Sequence, residues 1–384
     1  MSMYKWFKIE RFRAFRRLEL EDLGCINLIA GKNNVGKTAL LESLFVHSGA
    51  YNPQLAFNLR AFRGLVKSEL HTAQWRTTPW DDLFYEFDNS REIVFRGDDG
   101  VVGRRDVRLR QASGVGPVRA LLADIEPYQS SIGEAAFEFE DGSLQVSLLP
   151  NDGYDDTVTP QMRLRALALR YEEPQIAGTQ VLVMRPDGLT QYPGIPPAPP
   201  YPCIFVSTRR RCPPDDAKRF GELVANKIDD TVLRALKKLE PRLKRLAVVH
   251  VADEPVLHGD IGLQRMLPLS FIGDGVARLA SIILDIAASH DGVVLIDEVE
   301  AALHFSAIPD VWRAISAAAS EFNVQVFATT HSVECIRSAA DRFADDKTFR
   351  FIRIERTRNG RAHRAATYAG DALQAAIKMD IEVR

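Results

Sequence analysis

The alternation of apolar and polar positions divides the chain into three stretches. Near the start, Tyr4 to Ile9 and Leu18 to Leu20 predict short strands, and Cys25 to Ala30 is a compact apolar run suited to a buried strand. A Gly/Asn loop follows, and then Thr38 to Val46 has helical spacing, with Leu40, Leu41, Leu44 and Phe45 on one side. The middle is strand-rich: Glu92 to Arg96, Asp106 to Gln111, Ala135 to Glu140, Ser143 to Leu149, Arg163 to Tyr171 and Thr179 to Arg185 all carry the pattern. Asp141-Gly142 predicts a hairpin turn between two of them, and the proline tract Pro193 to Pro202 reads as a loop or boundary. Asp215 to Leu246 is helical and polar-faced, with a break near Pro241. Beyond it Ala247 to Val251, Val293 to Ile296, Val324 to Thr329 and Thr348 to Ile354 are strands separated by helices. The pattern predicts an α/β fold whose core is split between residues 1–50 and 246–384. Residues 51–205 form a β-rich insert and 206–245 a basic helical segment.

Two motifs add chemistry to this frame. Gly31-Lys32-Asn33-Asn34-Val35-Gly36-Lys37-Thr38 matches G-x-x-x-x-G-K-[ST] and lies between a strand and a helix, the context that separates a phosphate loop from an ordinary glycine turn. Its glycines let the backbone wrap a phosphate, and its amides and the helix N-terminus face the phosphate oxygens. Lys37 then reaches the β- and γ-phosphates of ATP, and the Thr38 hydroxyl ligates Mg²⁺. The second motif, Val293 to Glu298, sets two carboxylates at the C-terminal end of a buried strand, the edge where open α/β sheets bind ligands. Asp297 is expected in the Mg²⁺ shell and Glu298 as the general base that polarises the attacking water. Alone, such a strand could end in a solvated acidic turn; beside a phosphate loop it reads as its catalytic partner.

Composition narrows the class only slightly. The 384 residues are 46% hydrophobic and 26% charged, with a formal net charge of −2, so nucleic-acid binding would have to come from local patches. Two basic segments qualify: Val206 to Arg245, with 12 Lys/Arg against 6 Asp/Glu and the run Arg209-Arg210-Arg211, and Lys347 to Arg364, with 7 against 1. Either could contact a phosphate backbone without reading sequence. Either could equally be a solvated helix face and a basic strand that resists edge pairing. The four cysteines, Cys25, Cys203, Cys212 and Cys335, are scattered and suggest neither zinc nor disulfides, which fits a cytoplasmic protein. The N-terminus has no apolar signal core, and Leu279 to Ala288 is too short and is interrupted by Asp285, so no membrane contact is expected.

Three further segments complete the pattern. Pro268 to Gly275 contains Ser270, Gly273 and Gly275 and precedes the helix Val276 to Ala288, just ahead of the carboxylate strand. Glu300-Ala301-Ala302-Leu303-His304 follows that strand, and Thr329-Thr330-His331-Ser332 closes the next one. With Ile9 to Phe15, these residues resemble the ABC-type ATPases related to RecF, SMC and the overcoming-lysogenization-defect group. The resemblance is good over 1–50 and 246–340 and weak between. It implies a split P-loop ATPase core with a helical subdomain, and a homodimer or higher oligomer that engages on ATP. In that dimer Ser270 and the glycines Gly273 and Gly275 of one copy would bind the γ-phosphate held by the other. Glu300 to His304 would be a loop crossing the interface, and His331 a switch histidine on the γ-phosphate. The segment departs from the common L-S-G-G-Q form, which leaves open which glycine makes the contact. Gln74 is the Q-loop candidate by spacing.

Between Lys37 and Ser270 no heptads are sustained, so a long coiled coil is not expected. Too few residues follow His331 for a Toprim nuclease domain. A separate effector protein, a nuclease or toxin, is therefore the expected partner, with anti-phage defence the role that the resemblance implies. The alternatives are a RecF-like DNA repair ATPase, a nucleotide-gated scaffold that never touches DNA, and, more distantly, a transporter subunit.

Overall fold

The computed structural model describes residues 3–63, 78, 80–123, 125, 164–185, 188–208, 213–357 and 362–379. Two sheets carry the fold. The first has seven antiparallel strands in the order β2-β1-β4-β5-β6-β7-β8. These are β1 (Tyr4–Phe12), β2 (Phe15–Leu20), β4 (Ile93–Asp99), β5 (Gly103–Ser113), β6 (Arg165–Glu172), β7 (Ala177–Arg185) and β8 (Gly188–Tyr192). The second has six strands in the order β16-β15-β3-β14-β13-β9: β3 (Ile26–Ala30), β9 (Cys203–Val206), β13 (Val293–Ile296), β14 (Gln325–Thr329), β15 (Phe349–Arg356) and β16 (His363–Ala369). All its pairings are parallel except β15 with β16.

The buried strands of the parallel sheet show why they read as continuous apolar runs: both faces are covered. Side chains alternate across the sheet. Leu28, Val294, Ile296, Val326 and Ala328 face one core, shared with the helices α7 (Asp274–Ala288), α8 (Ile308–Glu321) and α9 (Val333–Arg342). Ile29, Val293, Leu295 and Phe327 face the other. That second core holds α1 (Lys37–Ser48) and the inner residues of the antiparallel sheet, among them Phe7, Ile9, Phe95 and Leu109. The helix α1 is enclosed by this arrangement. Beyond the expected leucines it buries Glu42, Ser43, His47 and Ser48, and Phe45 packs against the cluster from its rim.

Buried polar groups fasten the two sheets together. Gln325, wholly buried on β14, accepts from the Tyr4 amide at 2.7 Å and donates to the carbonyls of Tyr4 and Gly24 at 2.9 and 2.7 Å. Arg105 of β5, also wholly buried, donates to the His47 carbonyl at the end of α1 at 3.0 Å and pairs with Glu173 at 2.6 Å. Each bond satisfies a group that burial alone would penalise.

Several elements differ from the expectation. The N-terminal strands β1 and β2 belong to the antiparallel sheet, beside the strands of the middle region. A short strand after the proline tract, β9, forms the edge of the parallel sheet beside β13; its four residues are too few to show a period. The helical stretch from Asp215 is two helices, α4 (Pro213–Ala225) and α5 (Asp230–Leu236). The apolar run at 247–251 lies in β10 (Arg245–Val251), which pairs with β11 (Glu254–Asp260), itself paired with β12 (Leu267–Pro268), in a separate three-stranded sheet. The strands expected over Ala135–Glu140 and Ser143–Leu149, the Asp141-Gly142 turn, Gln74 and Arg209-Arg210-Arg211 lie outside the described residues. Among the described residues no helix is long and apolar enough to cross a membrane.

Candidate functional site

The phosphate loop leaves the C-terminal end of β3 and enters α1, and its backbone requires its glycines. Gly31 has φ 150 and Gly36 φ 104. A Cβ at Gly31 would stand 2.5 Å from the Ile354 carbonyl oxygen, and one at Gly36 2.5 Å from the Phe15 ring. Between them Asn34 is also left-handed, at φ 62. Val35 is buried, while Lys32, Asn33 and Asn34 are exposed. The Lys37 ammonium donates to the carbonyls of Gly31 and Lys32, at 2.7 and 3.2 Å, so it is folded over the loop it belongs to.

The two motifs converge. The Thr38 hydroxyl donates to the Asp297 carboxylate, at 3.1 and 3.2 Å from its two oxygens, across 259 residues of sequence. The hydroxyl of Thr329, at the end of β14, donates to the same carboxylate at 2.8 Å. These donors fit a Mg²⁺ ion: adjacent ligands of an octahedron with bonds of ~2.0–2.1 Å lie about 3 Å apart, the separation seen between Thr38 and Asp297. One hydroxyl and one carboxylate, with phosphate oxygens and water supplying the rest, is the pattern expected of a nucleotide-bound Mg²⁺.

Glu298 follows in a left-handed conformation, φ 48, a departure that costs on the order of 1–2 kcal/mol for a residue with a Cβ. Its amide is held by the Thr329 oxygen at 2.8 Å, and its half-exposed side chain lies 3.8 Å from His331 Nδ1. Glu300 orders the His331 turn, accepting from the amides of His331 and Ser332 at 2.8 and 3.1 Å. The His331 ring leans on Glu300 at 3.2 Å. Ser332 then caps α9 by accepting from the Cys335 amide.

The segment from Ser270 to Gly275 is differently placed. Ser270 sits in a single helical turn, α6 (Leu269–Ile272), and Gly273 separates that turn from α7. Ser270 is exposed and has no side-chain hydrogen bond among the described residues, whereas Gly275 abuts the Glu300–His304 turn, its Cβ position 3.3 Å from the Ala302 oxygen. Phe271 and Phe305, which flank this junction in sequence, are 77% and 65% exposed.

Sequence reasoning named no role for three side chains that frame the site. Thr329 appeared only as part of a phrase, yet it touches both carboxylate residues. Arg278, buried on α7, donates to the backbone carbonyls of Ser207 and Asp297 at 3.1 Å each, tying that helix to the ends of β9 and β13. Glu42, one turn beyond Thr38 on α1, is wholly buried and paired with Arg13 and Arg63 at 2.9 and 2.8 Å. Its hydrogen bonds hold the Arg63 guanidinium above its ordinary pKa, with the charge of Asp297 contributing. A period of four residues from Thr38 was the available signal for Glu42. Arg278 had none, because it serves backbone atoms. In the second basic segment Arg350 is paired with Asp22 and Arg353 with Glu355, so part of its charge is already neutralised.

Comparison with known proteins follows the same outline. A model described as an AAA ATPase domain matches residues 215–336, which include α7, Asp297, Glu298 and His331. An uncharacterized protein of Methanocaldococcus jannaschii is 36% identical over 95 residues, 24% of this chain and 39% of that protein's length. An ATP/GTP phosphatase of Helicobacter pylori is 22% identical over 359 residues, 87% of this chain and 86% of its own. A solved SMC head bound to the C-winged helix domain of ScpA aligns over 98% of this chain and 99% of that one, at 12% identity and TM-score 0.47. The chain is a mixed α/β protein whose parallel sheet draws strands from both ends of the sequence, and it is similar to an AAA ATPase domain in the part that carries the second motif.

Proposed function

We propose that this chain binds ATP with Mg²⁺ and hydrolyses it as an ABC-type ATPase, in a dimer that closes on the nucleotide and controls a separate effector protein. The observation that carries the reading is the convergence of Thr38, Asp297 and Thr329 on one point at the mouth of the phosphate loop. Lys37 neutralises the β- and γ-phosphates, Thr38 and Asp297 hold the Mg²⁺ shell, and Glu298 takes a proton from the attacking water. His331, beside Glu298, donates to the γ-phosphate. Bound Mg²⁺ supplies charge neutralisation of the phosphates.

The dimer is supported by what one chain leaves exposed. Ser270, Phe271 and Phe305 lie on neighbouring exposed segments, and a two-fold arrangement would use the same patch on both copies. The reading places Ser270 and the glycines Gly273 and Gly275 against the other copy's γ-phosphate. Asp274 at the first turn of α7 bears its own carboxylate there. The proposal extends to an effector that is a nuclease or toxin in anti-phage defence, in the cytoplasm, with DNA contacted through the basic segments.

Glu298→Gln tests the core of the reading. ATP–Mg²⁺ binding should be retained while hydrolysis slows by ~10²-fold or more, the usual contribution of a positioned base. Turnover at the wild-type rate would remove Glu298 from its assigned role.

A further inference from the structure

The outer wall of the phosphate loop is built by the hairpin of β15 and β16, at the far edge of the parallel sheet. Arg356 and His363 stand directly opposite each other across that antiparallel ladder. The Arg356 guanidinium reaches sideways from it and donates to the Asn34 carbonyl oxygen at 2.8 Å. Its Nε donates to His363 Nε2 at 3.3 Å. The His363 ring in turn meets the Phe15 ring edge to face, with centroids 5.0 Å apart, and Phe15 is the ring that closes over Gly36. Two contacts therefore run from one histidine to two residues of the phosphate loop, one through Arg356 to Asn34 and one through Phe15 to Gly36.

The Arg356 bond fixes more than a carbonyl. In a trans peptide the C=O and the following N–H point in opposite directions. Holding the Asn34 carbonyl turns the following Val35 amide the other way, where it donates to the Lys32 carbonyl oxygen at 3.4 Å and closes a turn of the loop. The orientation of this peptide thereby sets the curl of the loop whose remaining amides a phosphate would meet. Asn34 is left-handed at φ 62, a conformation that asparagine adopts more readily than other side-chain-bearing residues and that an external bond stabilises.

His363 must accept from Arg356, which requires a neutral ring with its lone pair on Nε2 and its proton on Nδ1. Burial, and next the Arg356 charge, hold its pKa below the ordinary histidine value and so favour that neutral form.

We propose that Arg356 is a positioning residue for the phosphate loop and that His363 orients it, so that together they set nucleotide affinity without taking part in hydrolysis. This rests on the reading of residues 31–38 as an ATP-binding loop. A charge-assisted hydrogen bond of this kind contributes about 1.5 kcal/mol or more, equivalent to about a 10-fold change in affinity.

The test is equilibrium binding of a fluorescent ATP analogue with Mg²⁺, together with steady-state hydrolysis, on the full chain. Arg356→Ala should weaken binding and raise KM by about 10-fold while kcat stays within about 2-fold, because the chemical groups are untouched. His363→Leu should weaken binding in the same direction. His363→Gln, whose amide oxygen can replace Nε2 as acceptor, should restore binding to within about 2-fold of wild type. A residue that merely supported the fold would not give this rescue or this split between KM and kcat. Wild-type affinity in Arg356→Ala, or loss in His363→Gln equal to that in His363→Leu, overturns the proposal. Lys37→Ala separates the two levels. If it fails to bind while Arg356→Ala binds as wild type, only this inference falls. If wild type itself binds no nucleotide, the ATP-binding reading falls and takes the inference with it.

Discussion

The two halves of the candidate site are made in opposite ways. On one side a single chain folds Lys37 over its own loop and brings the Thr38 and Thr329 hydroxyls onto the Asp297 carboxylate, with Glu298 held in a strained backbone by a hydrogen bond. On the other side Ser270 faces solvent, and Phe271 next to it and Phe305, just after the Glu300–His304 turn, are exposed. In the first half the Thr38, Thr329 and Asp297 side chains are partnered within the fold. In the second the Ser270 hydroxyl has no hydrogen bond among the described residues, and the Phe271 and Phe305 rings are exposed. Monomeric proteins seldom leave apolar surface clustered near a polar site without a use for it. Under the proposed function the difference is the mechanism: one copy supplies the phosphate and metal machinery, and the other supplies the closure.

Four substitutions probe that contrast, the two larger effects first. Lys37→Ala should remove most nucleotide binding, a loss of about 100-fold or more, because a fully charged contact to the phosphates is deleted; calorimetry with ATP–Mg²⁺ measures it. Gln325→Ala should cost about 3–5 kcal/mol of folding stability, since three buried backbone groups lose their partner and the two sheets lose a fastening. Denaturant midpoints would show it, and a change under ~1 kcal/mol would mean that water replaces the amide. Gly36→Ala should weaken nucleotide binding by about 10-fold or more, because the new methyl group meets the Phe15 ring at a backbone angle that favours glycine. Phe271→Ser should leave ATP binding by a single chain intact and weaken ATP-induced association by about 10-fold, the scale of one buried aromatic side chain. Equal association in that variant would place the contact elsewhere.

How much of this was legible in the sequence divides along the same line. The glycine loop of 31–38 and the carboxylates after β13 were legible because they match motifs of fixed residue type and spacing, and the structure brings Thr38 and Asp297 together. The buried strands β3, β13 and β14 were legible because a sheet covered on both faces produces uninterrupted apolar runs. The partnership of β1 and β2 with the middle strands was hidden, since a strand's own sequence does not say which sheet it joins. The edge strand β9 was hidden by its length, and the hairpin β10–β11 by an apolar run that suits either sheet. Within the site, Arg278 and Arg356 were invisible for a common reason. They act on backbone carbonyls distant in sequence, which leaves no local pattern.

The central claim is that ATP joins two copies through the exposed half of the site. It is tested most directly by light scattering of Glu298→Gln and Ser270→Arg, each with and without ATP–Mg²⁺, alongside their hydrolysis rates. The account predicts that Glu298→Gln, which binds ATP but hydrolyses it slowly, doubles in mass on adding ATP–Mg²⁺. It predicts that Ser270→Arg binds ATP, stays a monomer and does not hydrolyse it. A Ser270→Arg protein that hydrolyses ATP at the wild-type rate as a monomer would contradict the claim, even with every phosphate-loop contact intact.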